Sequence, residues 1–469
     1  MPEASIGAKG TAPYQDPEKW LTALPVAARP DTKNMLVIGF GGGVALEGVP
    51  ASVQEVDVIE LEPEVVNANR QLAGRRSKDP LEDPRINVIF NDARNALRLT
   101  SKNYDVIVSQ PSHPWTAGAS HLFTREFVHL AKEHLTEGGV FVQWMNSEFV
   151  DAPLLRSLAA TVLEEFSHVR LYQPNTQMLM FLGSDQELEP ELQLARTGQP
   201  ITNDVMHFSR MGINAAEDLV GALVMDQEGL EKFSLGALLS TDDNNLMATR
   251  SRSLADGLDE RQLFALFEPY DPLLNPDSWV YRELGRKLNF SYITSRLLAE
   301  GRTTRVGQLA SMVPVPSDQA LISALAFAHN GETEKTLDAL RAAIRIDPRK
   351  MDARFAFISH RLSDFARGEV DQETQVIASG LTGAAAAVVK GWPLGAAQDW
   401  NALVGLEQVL SRSNVSDLWY PETVQLRAEW RTKVAGDDRY PFDALRMLDR
   451  ALVIRPLSLI HISRAHETL

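Results

Sequence analysis

Residues 34–62 read NMLVIGFGGGVALEGVPASVQEVDVIELE. An apolar run from Met35 to Ile38 meets glycines at 39, 41, 42 and 43, and a second run, Val56 to Ile59, ends on Glu60. The order is strand, glycine turn, short helix, and a strand carrying an acid at its carboxyl end. A parallel α/β sheet that holds a nucleoside needs those parts: glycines let the backbone approach the ligand, and a carboxylate accepts from ribose hydroxyls. The segment points to a ligand class and leaves the reaction open.

The chain around it has 469 residues, enough for two or three domains. With 44% hydrophobic and 23% charged residues its composition is that of a globular protein. Cysteine is absent, which removes disulfides, thiol catalysis and thiolate metal sites and fits a reducing compartment. No metal is expected. A formal net charge of −16 argues against a nucleic-acid binder, which would present a basic face. No stretch reaches the roughly 18 apolar residues of a membrane helix, and the start, MPEASIGAKGTAPY, lacks a signal-peptide core. The default expectation is a soluble cytoplasmic protein.

Upstream, residues 1–33 read as an extended lead-in, with a short helix opened by Asp16 as N-cap and Pro17 and running through Ala28. Downstream, Pro63 opens a helix to Arg75, Ile86–Phe90 is a strand ending on Asn91-Asp92, and Ala93–Leu99 is a helix. Strand Val106–Ser109 leads into a loop from Gln110 to His121, followed by a helix from Thr124 to Leu135 that Gly138-Gly139 should stop. Val140–Trp144 is a further strand and Leu154–Phe166 a helix. Val169–Tyr172 and Met178–Gly183 form an antiparallel pair. This alternation predicts a doubly wound, mostly parallel sheet. From Asp185 to about Arg252 the pattern is mixed and mostly helical, and beyond Ser253 no strand pattern remains.

The carboxyl third carries a weak repeat. Thr336, Leu340, Ala343 and Pro348 stand at offsets 0, 4, 7 and 12, and the offsets recur at Ala444, Leu448, Ala451 and Pro456. These are packing positions of the helix pair, about 34 residues long, found in tetratricopeptide repeats, which the region resembles. Such pairs bury their apolar faces by stacking, so 270–456 reads as one helical array, a plain helical domain being the alternative. Residues 457–469 break the pattern and resemble a read-through tail, so they are expected to lie outside the native fold.

With the sheet laid out, residues 13–183 resemble the spermidine synthase family of aminopropyltransferases. The matching pieces, in order, are Ile38 to Gly43, Val58 to Pro63, Asn91 to Arg94, Tyr104 to Val108, Leu122 to Phe127 and Gly138 to Gln143. Pro111-Ser112-His113-Pro114-Trp115 is closest to large bacterial spermidine synthase-like proteins, and Thr241-Asp242-Asp243-Asn244 resembles their domain end, giving a domain over 34–252. The resemblance implies a Rossmann-like, class I S-adenosylmethionine-dependent methyltransferase fold, followed here by the all-α helical-repeat region. A dehydrogenase would share the glycine turn, but its substrate machinery would follow a second βαβ half, whereas here Asp92 closes the third strand.

The resemblance also implies roles. Gln15, Gly39, Gly41, Gly43, Glu60 and Asp92 would bind decarboxylated S-adenosylmethionine or S-adenosylmethionine, with Glu60 on both ribose hydroxyls and Asp92 on the adenine amino group. Asp92 is equally placed to cap the following helix. The family's aspartate inside the glycine loop falls on Gly42, its base on Gln110, and a further acid on His113. Glutamine takes no proton and can only orient, whereas His113 could act as a base or be a structural loop residue. Asp242 and Asp243 could replace the missing charge or simply form a turn. Trp115 and Trp144 could cover the pocket or pack in the core. The family precedes Tyr14-Gln15 with a small β-domain that builds a homo-oligomer and part of the pocket, so the start of this sequence looks truncated.

Three readings follow. The first is aminopropyl transfer to a small-molecule amine. The second is methyl transfer from S-adenosylmethionine, since an acid that would repel the cofactor's carboxylate is missing at Gly42. The third is a nucleoside-binding scaffold whose helical array holds a protein or peptide.

Overall fold

The structure, a computed structural model, describes residues 17–73, 79–111, 114–116, 118–199, 201, 204, 207–208, 211–250, 257–414 and 417–434. The described chain divides into two compact units, one ending at Lys287 and the other beginning at Leu288.

The first unit is built on an eight-stranded sheet. Its strands are β1 (Asn34–Ile38), β2 (Glu55–Glu60), β3 (Ile86–Phe90), β4 (Tyr104–Ser109), β5 (Leu135–Asn146), β6 (His168–Tyr172), β7 (Met178–Ser184) and β8 (Leu223–Met225). They lie in the order β3-β2-β1-β4-β5-β7-β6-β8. The first five pair in parallel, while β7, β6 and β8 close the sheet with antiparallel pairs. This is the Rossmann-like methyltransferase arrangement expected from the sequence. Strand order reverses between β1 and β4, so a crevice opens at their carboxyl ends, where open α/β sheets hold ligands.

The strands are apolar on both faces because helices cover both. One core packs Val37, Val58, Val108 and Val142 against α1 (Trp20–Ala28), whose Trp20, Leu21 and Leu24 are buried. The same face carries α2 (Val44–Glu47) and α3 (Pro63–Leu72). The other core joins Leu36, Ile38, Ile59, Ile107 and Phe141 to α4 (Ala93–Leu99), α5 (Arg125–Glu133) and α6 (Ala152–Glu165), through Leu97, Phe127 and Leu155 among others. Each such side chain contributes about 1.5–3 kcal/mol by leaving water.

Two expectations are corrected. The helix after the fourth strand ends at Glu133, and Leu135 already belongs to β5. Tyr104 N–H donates to His134 O at 2.8 Å, and the partners shift from Tyr104↔Leu135 to Val106↔Val140. Gly138-Gly139 therefore sits within an irregular strand start instead of stopping a helix. The stretch after Asp185, expected to be mixed and mostly helical, also holds the short strand β8, paired with β6.

The described part of the second unit is helical. Helices Pro316–His329 and Thr333–Ile346 pack as a pair around Gly331, whose φ is +75°. Ala324, Thr336, Leu340 and Ala343 are buried there. The second copy of the repeat pattern, at 444–456, lies outside the described residues, as does 457–469. Among the described residues no helix is long and apolar enough to cross a membrane.

Candidate functional site

β1 runs directly into the glycine loop. Gly39, Gly41 and Gly43 have φ of +95°, +51° and +75°, so three left-handed residues alternate within five. Only glycine adopts that backbone without strain. At Gly39 a Cβ would also stand 3.1 Å from the carbonyl oxygen of Gln110. Asn69, buried on α3, donates from Nδ2 to Gly41 O at 2.8 Å and fixes the loop from behind.

Glu60 closes β2 beneath this loop and is 8% exposed. Its Oε2 accepts from Phe40 N–H at 2.8 Å and its Oε1 from Glu62 N–H at 2.9 Å. One carboxylate thus clamps the glycine loop to the turn that starts α3. Each carboxylate oxygen has two lone pairs, so one backbone bond apiece leaves acceptor capacity for a ligand's hydroxyls. On β3's side, Asp92 is the N-cap of α4, with Oδ1 accepting from Asn95 N–H at 3.0 Å.

Gln110 opens the loop after β4 and is turned toward β1: its Nε2 donates to Gly39 O at 2.7 Å. That bond settles the orientation of the carboxamide and leaves Oε1 as the acceptor it can offer. Ser109, just before Gln110, pairs with Gln143, just before Trp144, at the end of the β4–β5 ladder. Trp144 is half-buried against the first core, its ring edge-on to Phe149 at 6.4 Å, and Phe149 meets Trp115 at 4.9 Å. The two tryptophans therefore share one aromatic cluster. His113 and Gln15 lie outside the described residues.

The structure thus brings Gly39, Gly41, Gly43, Glu60, Asp92 and Gln110 to the carboxyl edges of β1, β2, β3 and β4. Asp242, one of the two candidate replacement charges, faces Arg94 of α4. Arg94 Nη1 and Nη2 donate to Asp242 Oδ1 and Oδ2, both at 2.6 Å. The Arg94 guanidinium, with Thr124 Oγ1 donating at 2.9 Å, holds the Asp242 carboxyl down at about 2 despite its partial burial. Its charge is paired with an arginine. Asp243 is exposed in the 241–244 turn, where Thr241 and Asn244 bond each other.

Two further carboxylates serve the framework. Asp105 accepts from Lys33 N–H, Asn34 N–H and Thr136 Oγ1 at 2.8, 3.0 and 2.8 Å, tying the starts of β1 and β5 to β4. Asp57, 1% exposed, accepts from Asn87 Nδ2, Lys102 Nζ and Tyr104 OH, each at 2.9 Å. Burial opposes the charge of Asp57, yet these donors hold its carboxyl below the usual range. It lines a cavity of about 340 Å3 with Ile59, Asn87, Asn91, Leu97 and Tyr104. Arg94 and Asn69 went unassigned from sequence, because an arginine or asparagine on a helix signals nothing until its distant partner is known.

Known proteins match this region. The model of the spermine/spermidine synthase domain matches residues 17–180. The chain is 28% identical over 155 residues to polyamine aminopropyltransferase 1 of Pseudomonas aeruginosa, covering 33% of this chain and 54% of that one. It is 35% identical over 124 residues to the polyamine aminopropyltransferase of Pectobacterium atrosepticum, covering 26% and 43%. The chain thus spans about half the length of these curated relatives. Among solved structures, spermidine synthase from Thermotoga maritima aligns with TM-score 0.39 and 21% identity, over 47% of this chain and 75% of that one. The likeness to the spermine/spermidine synthase family thus rests on residues 17–180, which that domain's model matches.

Proposed function

We propose that the α/β unit binds an S-adenosyl-type nucleoside and transfers the aminopropyl group of decarboxylated S-adenosylmethionine to an amine. The observation that carries this reading is Glu60, a buried carboxylate held by Phe40 and Glu62 N–H beneath a left-handed glycine loop. In that position it would take the ribose hydroxyls, with Asp92 toward the adenine. In the step itself the acceptor nitrogen attacks the carbon beside the sulfonium. The new C–N bond forms as the C–S bond breaks, the bonding pair returns to sulfur, and methylthioadenosine leaves. The nitrogen's proton passes to solvent or to a loop base. Gln110 would orient the acceptor through Oε1 but cannot take that proton.

Methyl transfer from S-adenosylmethionine is the second reading, favoured by Gly42. This residue is exposed, and a Cβ on it would meet only Val44 Cγ2, at 3.9 Å. Packing would admit a side chain there, so space alone does not exclude an aspartate at this position. For the helical unit we read a tetratricopeptide-like array that holds a protein or peptide, on the pattern of the 316–346 pair.

Calorimetry with S-adenosylmethionine, its decarboxylated form and methylthioadenosine tests the main reading. Preference for the decarboxylated form supports aminopropyl transfer. Equal binding of both sulfonium ligands shifts the case to methyl transfer, and binding of none removes both enzymatic readings.

A further inference from the structure

Asp242 lies far along the chain from the residues assigned to the nucleoside, yet it touches what surrounds two of them. Its fork with Arg94 grips the second residue of α4, the helix that Asp92 caps. Its Oδ1 also accepts from Thr124, which ends the loop opened by Gln110, and His121 Nδ1 of the same loop stands 3.5 Å away. The backbone around it is stitched in as well. Asp242 N–H donates to Glu126 Oε2 at 2.9 Å, Ser240 O accepts from Arg125 N–H at 2.8 Å, and Ser240 N–H donates to Thr161 Oγ1 at 3.0 Å. One carboxylate therefore ties the first turn of α4 to the end of the loop after β4.

We propose that Asp242 is a positioning residue that sets adenine specificity, by holding the start of α4, and with it Asp92, against the loop after β4. The assignment rests on the nucleoside reading given above. Arg94 is 13% exposed at its side chain and Asp242 35%, so the pair is partly shielded from water, and its two-pronged charge-assisted bond imposes geometry as well as attraction. Without it the first turn of α4 would keep its cap at Asp92 and the packing of Ala93 and Ala96, but would lose its tie to the end of the loop after β4. A carboxylate discriminates between a 6-amino and a 6-oxo purine only when held in line with the ring edge: it accepts from the first and meets oxygen lone pairs on the second.

The full chain is titrated with methylthioadenosine and methylthioinosine, as wild type, Asp242→Asn, Arg94→Met and the double variant. Thermal melting verifies that each is folded. The wild type should prefer the adenosine compound, and each single variant should lose about tenfold of that preference, the scale of one charge-assisted hydrogen bond. The double variant should lose no more than either single one, because both remove the same tie. If Asp242→Asn does not fold, Arg94→Lys, which keeps the charge and loses the fork, should show the same direction. Folded variants that weaken both nucleosides equally, or keep the wild-type ratio, overturn the assignment of Asp242 alone. A wild type that binds neither compound overturns the nucleoside reading and this inference together.

Discussion

Replacing Glu60 by glutamine changes one oxygen to an NH2 group and leaves the shape almost untouched, so its cost can be worked from hydrogen bonds. The carboxylate accepts two backbone N–H groups, one on each oxygen, at 2.8 and 2.9 Å. A carboxamide has a single oxygen. Whichever of Phe40 and Glu62 it serves, the other N–H must face an NH2 donor in a site where the residue is 8% exposed. Losing a charge-assisted bond of this kind costs about 1.5–3 kcal/mol. For a domain of this size each kcal/mol lowers the melting temperature by about 2–4 °C, which gives a fall of about 3–12 °C. Ribose hydroxyls lose their charged acceptor in the same change, so affinity for methylthioadenosine should fall about 10- to 100-fold. Calorimetry reads the second effect and a thermal melt the first. Wild-type affinity in a variant that melts lower would refute the ribose assignment while leaving the clamp. Unchanged melting would refute the clamp.

Gly42→Asp should be accommodated, since a Cβ there meets only Val44 at 3.9 Å. The added carboxylate should favour decarboxylated S-adenosylmethionine over S-adenosylmethionine by about tenfold, as a like charge some 4 Å away costs about 1–4 kcal/mol. Competition binding measures the ratio. Tyr104→Phe removes one donor from the buried Asp57 and should destabilise the α/β unit by about 1–3 kcal/mol in denaturant. Nucleoside affinity should stay as in the wild type, because Asp57 lies away from the glycine loop. Acid unfolding should carry the signature of Asp242: its folded carboxyl lies at about 2 against an ordinary 3.8, so its stabilising share is complete above about pH 4 and is lost as pH falls toward 2. Discounted for a side chain that is 35% exposed, that share is of order 1 kcal/mol. Asp242→Asn should flatten that part of the stability-against-pH curve, and an identical curve would show that the pair contributes nothing.

Sheet and glycine loop were legible because their signals are local. Apolar runs from Met35 and Val56, the glycines, and the acid at 60 all fall within 29 residues, and α4 was bounded correctly at Ala93 and Leu99 by Asp92 before it and a change of pattern after it. What escaped depended on distance. The start of β5 at Leu135 is set by pairing with Tyr104, and β8 is only three residues long, fixed by its contact with β6. The bond between Arg94 and Asp242 spans 148 residues, and the one between Asn69 and Gly41 joins a helix to a turn. Neither side chain differs in sequence from an ordinary exposed one, so the tie shows only in three dimensions.

These ties bear on how a proton would leave an amine acceptor. Three acids around the candidate site already hold a piece of backbone or a cation: Glu60 holds the glycine loop and α3, Asp92 holds the start of α4, and Asp242 holds Arg94. Protonating any of them would weaken a contact that shapes the pocket, so none is suited to serve as a base during turnover. Gln110, fixed to Gly39 O, has no basic site. The aromatic edge built by Trp115, Phe149 and Trp144 offers π faces, which can sit against an ammonium but cannot deprotonate it. On the aminopropyl-transfer reading, the nucleophile must therefore reach this site already neutral or hand its proton to solvent or an imidazole, and a weakly basic acceptor meets that condition more readily than an alkyl polyamine.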